Sequence, residues 1–226
     1  MQKATFAQGG GYPQIENLPR YDINPYHFGF VLAINKMDFS VHNVPNYKPL
    51  DSLCTITSVP QWGFNIGIVS NLRLGEYADL RFVPTLSFGD RELTYTIKEH
   101  DSVLVTDTKN VESTYIDFPL LFKYKSMRLN NFRAYVIGGF QYSIDLASQA
   151  KKVNKPNQAY VVKLKENDLL YQMGVGFDFY TMYFKFAIEL KMSYGIRDLL
   201  QHDNSIYTQG IERLNSRIFQ LSFLFE

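Results

Sequence analysis

The chain lacks several features on which common functions depend. A single cysteine, Cys54, excludes an intramolecular disulfide framework. No run approaches about 18 consecutive apolar residues, which excludes a transmembrane helix but not membrane strands, because each strand gives a much weaker signal. The formal net charge is +1, so there is no strongly basic balance to indicate a nucleic-acid partner. Met1 leads into a polar stretch without the apolar region of a signal peptide, and we expect that a signal has been removed.

Aromatic residues are abundant by contrast. They make up 15% of the 226 residues, with 18 Phe and 16 Tyr. Aromatic side chains suit β-strands and form the girdles of membrane barrels. The length fits one barrel or sandwich domain.

Alternation of apolar with polar or small residues predicts eight strands. Residues 184–194 give the clearest pattern, with Phe186, Ile188 and Leu190 facing away from Lys185 and Glu189. Each alternating stretch is close to the length of about 9–11 residues that a membrane strand needs. The predicted strands cover residues 28–35, 62–69, 79–88, 116–125, 132–145, 171–179, 184–194 and 219–226.

The connections between these strands alternate in length. Long gaps at 36–60, 89–114, 147–168 and 197–216 alternate with short turns around 73–76, 126–131 and 180–182. Long loops at one end and tight turns at the other are typical of outer-membrane barrels. The sequence therefore predicts an all-β fold, an eight-stranded antiparallel up-and-down transmembrane β-barrel with four long extracellular loops and short periplasmic turns. Residues 26–226 form the barrel, and residues 1–25 form a periplasmic N-terminal segment that either plugs the barrel mouth, binds a partner or stays disordered.

Alternation alone does not distinguish this barrel from a soluble ligand-binding barrel, whose apolar face turns inward. Two features favour the membrane. The polar face carries glycines, such as Gly67 and Gly174, whereas the other face is bulky, and eight strands leave an interior that side chains barely fit. The apolar face also carries no formal charge, and its rings recur at strand ends.

This orientation predicts two groups of residues. The polar face supplies a lumen charge network, interpreted as a plug of ion pairs because buried charges need partners, with a charged conduction path as the alternative. Its members are Asp79, Arg81, Asp117, Lys123, Arg133, Asp145, Asp178, Lys185, Glu189 and Lys191. The apolar face supplies a lipid-facing belt. Its members are Phe28, Trp62, Phe64, Phe82, Phe122, Tyr124, Phe140, Tyr171, Phe177, Phe184, Phe186, Tyr194, Phe219, Phe223 and Phe225.

Catalytic chemistry finds little support in the sequence. His100-Asp101 and His202-Asp203 are adjacent pairs, but neighbouring residues on an extended chain point in different directions and do not form a dyad. The histidines also lack the spacing of metal ligands. We therefore expect no enzyme activity, no catalytic residue, no metal and no cofactor. The basic run 151–155 is interpreted as a solvated loop tip, with contact to anionic lipid head groups as the alternative.

Several segments resemble the PorT-like outer-membrane β-barrels of Bacteroidota, over residues 25–226. The motifs that carry the resemblance are 26–30 (YHFGF), 62–67 (WGFNIG), 117–124 (DFPLLFKY) and 217–222 (RIFQLS). Residues 17–22 and 35–39 are similar to PorT/SprT itself. Unlike many outer-membrane barrels, the chain ends on Glu226 after the last aromatic residue, which puts a terminal assembly signal in doubt.

The resemblance implies a non-enzymatic component of the type IX protein secretion system, which exports proteins across the outer membrane and supports gliding motility in some species. The expected partners are outer-membrane lipid and other type IX secretion subunits, with no nucleic acid and a monomeric barrel. A surface-binding or adhesin-type barrel and a small channel are the alternatives.

Overall fold

The chain folds into nine antiparallel strands that close into a ring. The computed structural model describes residues 16–44, 53–99, 103–146, 164–201, 208 and 210–226. A short 3-10 helix, Tyr21–Ile23, precedes the first strand. The strands are β1 (Tyr26–Asn43), β2 (Leu53–Arg73), β3 (Ala78–Phe82), β4 (Thr85–Glu99), β5 (Val103–Lys125), β6 (Phe132–Asp145), β7 (Asn167–Tyr180), β8 (Lys185–Gly195) and β9 (Ile211–Phe225).

Closure of the ring comes from the first strand. β1 pairs with β2 along one edge, where Ile34 lies opposite Phe64, and with β9 along the other, where Ile34 lies opposite Leu221. The remaining neighbours follow chain order, and β3 and β4 together fill one position between β2 and β5. The result is a barrel of eight strand positions. Among the described residues, no helix is long and apolar enough to cross a membrane.

The third predicted strand is interrupted, which corrects the prediction of one continuous strand over 79–88. β3 ends at Phe82 and β4 begins at Thr85. Pro84 lacks an N–H and cannot donate to the ladder, although its carbonyl accepts from Ile68 N at 3.0 Å. Pro119 on β5 lies opposite this break, and its carbonyl accepts from Val83 N at 3.3 Å. β5 keeps an unbroken register with β6 through Pro119.

Strands also extend well into two of the predicted long gaps. β1 continues to Asn43 and β2 starts at Leu53, although residues 36–60 were predicted as a connection. β4 continues to Glu99 and β5 starts at Val103, although 89–114 were predicted as a connection. The predicted bounds were wrong there because the apolar–polar alternation changes phase. Much of the 147–168 connection, together with Cys54, His100 and His202, lies outside the described side chains.

The change of phase is visible along β4. Leu86 faces outward with Ser87 inward, but further along the same strand Asp90 and Glu92 face outward while Leu93 is fully buried. The register with β5 is continuous through this region, so the strand has not rotated. The same reversal occurs on β1 and β9, beyond Ile34 and Phe219, whereas on β2 the register with β4 shifts between Pro60 and Phe64. An apolar exterior matches lipid and a polar exterior matches water, so these positions mark where the barrel leaves the membrane.

Beyond this level the barrel has an apolar core of its own. The core packs side chains from β1, β2, β4 and β9 against residues that follow β8. From Phe88 to Glu99, β4 rises roughly 25–30 Å past the boundary at ordinary strand rise and tilt. The core consists of Phe39, Ile56, Leu93, Tyr95, Leu164, Leu199, Leu200, Ile211 and Leu214.

Spin labels on β4 test the position of the boundary. In a Cys54→Ser background reconstituted in bilayers, a nitroxide at Leu86 should collide mainly with oxygen, which concentrates in lipid. A nitroxide at Thr94, on the same face, should collide mainly with a water-soluble nickel chelate. Leu120 on β5 serves as a second lipid-facing control. Equal oxygen accessibility at Leu86 and Thr94 would contradict the assigned boundary.

Candidate functional site

The lumen near the short turns contains a connected set of buried charges centred on Arg81. This guanidinium lies on β3 and is fully buried. Its Nη1 donates to Glu189 on β8, and its Nη2 donates to Glu226 at 3.0 Å. Its Nε donates to Asn71 Oδ1 at 3.2 Å. Side chains from β2, β3, β8 and the C-terminal residue therefore meet at one cation, since the closed ring places them around a common axis.

Glu189 has two further partners. The Tyr135 hydroxyl donates to its Oε1 at 2.6 Å, and Lys191 Nζ lies 3.4 Å from its Oε2. The Tyr135 ring also lies 3.5 Å from Lys123 Nζ, measured to the ring centroid. A buried carboxylate is tolerated when cations and hydrogen-bond donors surround it, and this one has three.

A second set of pairs lies beside the first. Lys123 donates to both oxygens of Asp178, at 2.8 and 3.0 Å. Lys185 Nζ lies 2.7 Å from Glu226 and 3.9 Å from Asp178. Glu226 thus links the two sets, because it contacts both Arg81 and Lys185. Glycines on the inner face give these long side chains room: a Cβ on Gly174 would lie 2.9 Å from Lys191 Cγ.

Other predicted network members lie apart from this centre. Asp79 pairs with Lys125 at 2.6 Å. Asp117 lies higher in the lumen, where the hydroxyls of Ser87 and Ser143 donate to it. Asp145 is buried at the far end of β6. The donors to Asp117 are therefore hydroxyls and not the cations that an ion-pair plug would supply.

Neutral polar groups lie around Asp117 in the lumen, and the cation Arg91 lies nearer the apolar core. Gln172 donates to Gln141 Oε1 at 3.2 Å and to Ser193 Oγ at 2.9 Å. Arg91 is 1% exposed, and its guanidinium lies 4.7 Å from the Phe39 ring and 5.0 Å from the Tyr115 ring. The inside thus changes from ion pairs through amides and hydroxyls to the apolar core.

The N-terminal segment covers the short-turn end of the lumen. Asp22 accepts from Arg133 at 2.8 Å and lies 3.3 Å from Arg128, whose guanidinium stacks 3.7 Å from the Tyr180 ring. Arg133, predicted as a lumen residue, therefore pairs with this segment. Asn17 donates through its side chain to Tyr180 O at 2.9 Å. We call residues 17–22, held by these contacts, the cap.

Tyr21 brings the cap into contact with the charged centre. Its hydroxyl donates to Glu226 at 2.9 Å, its ring stacks on His27 at 3.9 Å, and Lys185 Nζ lies 4.7 Å from the ring centroid. The cavity left beneath it measures about 10 Å³, room for roughly one water molecule. Of the three predicted fates of the N-terminal segment, residues 17–22 adopt the plug. Ile15 lies outside the described residues.

The predicted lipid-facing belt is on the outside of the barrel. Trp62 is 70% exposed, and Leu190 between the rings of β8 is 57% exposed, whereas the neighbouring Glu189 is fully buried. The exposed members are Phe28, Trp62, Phe64, Phe82, Phe122, Tyr124, Phe140, Phe177, Phe184 and Phe219. The partly exposed members are Tyr171, Phe186, Tyr194, Phe223 and Phe225.

Four functional side chains were missed by the sequence prediction. Glu226 lies on the same alternating face as Gln220 and Ser222, and this pattern could have placed it in the lumen. Lys125 continues the face of Lys123. Arg91 lies in a predicted loop and Asp22 in a segment without periodicity. The apolar–polar alternation therefore did not indicate that either side chain belongs to the site.

A closed barrel with an apolar exterior and a charged interior defines the class of integral membrane β-barrels. The family model for the outer membrane protein beta-barrel domain matches residues 7–201. The chain belongs to this family, and it is an outer-membrane protein. Barrels of this class carry short turns on the periplasmic side, so a periplasmic cap and an extracellular far end stay predictions.

Two solved structures from Pseudomonas aeruginosa are similar to the chain. The outer membrane protein OprG shares 12% identity, with 88% of this chain and 93% of that chain covered and a TM-score of 0.43. The N-terminal β-barrel domain of OprF shares 16% identity, with 86% and 97% covered and a TM-score of 0.33. Among curated proteins, nothing matches the chain.

Loss of the Glu189 charge should destabilise the barrel. Glu189→Gln leaves Arg81 and Lys191 without their carboxylate in a buried site, and we expect a loss of about 3 kcal/mol in the free energy of unfolding. Urea unfolding in lipid vesicles, followed by the fluorescence of Trp62, measures this loss. Glu212→Gln, an exposed change of the same kind, should have little effect. Equal losses in both variants would contradict a structural role for the pair.

The cap should release in strong acid. Burial alone would raise the pKa of Asp22, but hydrogen bonds and charge from Arg133 and Arg128 outweigh burial and lower that pKa below its ordinary value of 3.8. A lowered pKa means that the ionised carboxylate stabilises the cap above pH 3.8, and that this stabilisation disappears as pH falls below it. A nitroxide at Arg20 should stay immobile down to this range and become mobile below it.

The control for this titration is a pair of variants. Asp22→Asn should give a mobile label at neutral pH, whereas Glu76→Gln, an exposed change in a neighbouring turn, should give the wild-type profile. A label that remains immobile in Asp22→Asn would show that the cap is held by other contacts.

Proposed function

We propose that this outer-membrane barrel is a non-enzymatic component of the type IX protein secretion system that acts through protein–protein contacts. The observation that carries the proposal is the filled lumen: buried ion pairs, a neutral polar layer and an apolar core follow one another along the axis. A barrel filled in this way presents its two ends and its outer face to other molecules. The resemblance of residues 25–226 to PorT-like barrels supports the choice of secretion system.

The filled lumen weighs against the alternative of a small channel. Arg81, Lys123 and Glu189 are fully buried and occupy the axis at one level. An ion crossing this level would have to separate pairs such as Lys123–Asp178, which are costly to break once desolvated. The cap adds a further layer at the periplasmic end.

The second candidate function is a surface binder, and the extended extracellular strands favour it. β4 and β5 pair continuously from Thr85–Asp117 to Glu99–Val103, well past the membrane boundary. A folded extracellular section on a rigid scaffold is a suitable platform for recognition. In this alternative the contacts lie outside the cell, whereas in the secretion component they include the periplasmic end.

Deletion of the gene distinguishes the two candidates. Loss of the secretion component should abolish export of type IX cargo into the medium, while outer-membrane permeability to a hydrophobic dye stays normal. Complementation with a chain in which residues 97–105, at the far end of β4 and β5, are replaced by a tight turn should restore export. Normal export in the deletion strain would refute the secretion role. Failure of the shortened but folded chain would favour the extracellular surface as the site of contact.

Planar bilayers test the channel directly. Purified wild-type barrel should show no steady ion conductance, because the pairs around Arg81 block the axis. The double variant Arg81→Ala/Glu189→Ala removes the central ion pair and serves as the control that should conduct ions. Steady conductance of the wild-type protein, absent from mock preparations, would contradict the filled-lumen interpretation.

A further inference from the structure

Two cations lie on adjacent strands immediately beyond the lipid-facing surface. Lys36 follows the outward column Phe30, Leu32 and Ile34 on β1. Arg217 is the next outward residue after Phe219 on β9. β1 and β9 are hydrogen-bonded neighbours, and Lys36 lies opposite Phe219 in their register. Arg217 lies one outward position further along its strand, opposite Asp38, so both side chains lie close to the level where the exterior changes from apolar to polar.

Both cations lack the partners that the lumen cations have. Among the residues that the structure describes, no Asp or Glu oxygen lies within 4.0 Å of Lys36 or Arg217. Asp38 lies opposite Arg217 in the ladder, but its Oδ1 accepts from Ser58 Oγ at 2.6 Å and from Phe39 N at 2.8 Å. Arg213, further along β9, donates to Ile196 O. Lys36 and Arg217 thus keep their donors available.

Aromatic rings hold both cations at the membrane boundary. Lys36 Nζ lies 5.5 Å from the Trp62 ring, and Arg217 Cζ lies 5.1 Å from the Phe219 ring. Trp62 is 70% exposed and belongs to the upper aromatic girdle. Girdle rings occupy the head-group level of a bilayer, so the cations they contact lie at the same level.

We propose that Lys36 and Arg217 form a binding site for the phosphate group of an outer-leaflet lipid. The phosphate would accept charge-assisted hydrogen bonds from the ammonium and the guanidinium, and the acyl chains would lie along the apolar columns that end at Ile34 and Phe219. This inference does not depend on the secretion role, since it concerns lipid at the outer face of the barrel.

A neighbouring part of the barrel, separated from β1 by β2 alone, does not offer the same chemistry. There the first outward residues beyond Phe88 on β4 are Asp90 and Glu92. Carboxylates at the head-group level repel phosphate, so a phosphorylated lipid should be retained at the β1–β9 seam and not around the whole circumference. A site-specific lipid should also stay bound after extraction in mild detergent.

Native mass spectrometry of the detergent-purified barrel tests this site. The probe is diphosphoryl lipid A, compared with the same lipid after enzymatic removal of its phosphates. Wild-type protein should retain the phosphorylated lipid and bind it about tenfold more tightly than Lys36→Gln/Arg217→Gln, as expected when two charge-assisted hydrogen bonds are replaced by neutral ones of about half their strength. The phosphate-free lipid should bind wild type and variant equally.

Two further variants complete the test. Arg20→Gln/Lys165→Gln removes two exposed cations elsewhere on the chain and should bind the phosphorylated lipid like wild type. Lys36→Arg/Arg217→Lys keeps both charges and should restore binding. Equal retention by wild type and Lys36→Gln/Arg217→Gln, when both show the heat-modifiable mobility of a folded barrel, would overturn the proposal. Equal loss in the Arg20/Lys165 variant would overturn it as well, since net charge would then explain the result.

Discussion

Hydrocarbon leaves a backbone no solvent with which to form hydrogen bonds, and the structure follows from that constraint. A sheet within the bilayer must therefore close on itself, and pairing of β1 with both β2 and β9 achieves this. Closure by eight positions in turn fixes a narrow interior. Large side chains then belong outside, and the inner face combines glycines with long charged chains that interleave. Even the break at Pro84 conforms, because Ile68 and Pro119 supply hydrogen-bond partners on either side of it.

Closure of the sheet turns polar side chains into the narrow interior, where they need partners. Polar side chains turned away from lipid are nearly dehydrated, and isolated charges there would be too costly to maintain. Arg81, Glu189 and Glu226 avoid this cost by sharing partners across β3, β8 and the C-terminus. Such a set holds the ring together at points distant in sequence, and it excludes a continuous aqueous path. The same arrangement thus provides cohesion within the membrane, beside small buried apolar clusters such as Val31, Val69 and Leu224.

Strand existence and sidedness could be predicted from the sequence because lipid imposes a period of two that is easy to detect, as on β8. The extent of the strands could not, because β4 crosses from lipid into water and its outward residues change from Phe88 to Asp90. In the sequence, a strand whose outward residues change from apolar to polar looks like a strand that has ended. Which polar side chains pair was also beyond prediction: Asp117 and Lys123 share a face of β5, yet their partners depend on barrel shear and on the height of each side chain along the axis.

The change of the outward residues from apolar to polar along a strand is itself informative. On β1, β4 and β9 the outward residues change character, although the register of β1 with β9 and of β4 with β5 remains continuous through the change. A rotation of the strands would have shifted register, so the solvent must change instead. The level of reversal therefore locates the membrane surface, and side chains at this level, such as Lys36 and Arg217, face lipid head groups. Cations in the lumen have protein partners because no solvent reaches them, whereas these two have their natural partners in the membrane.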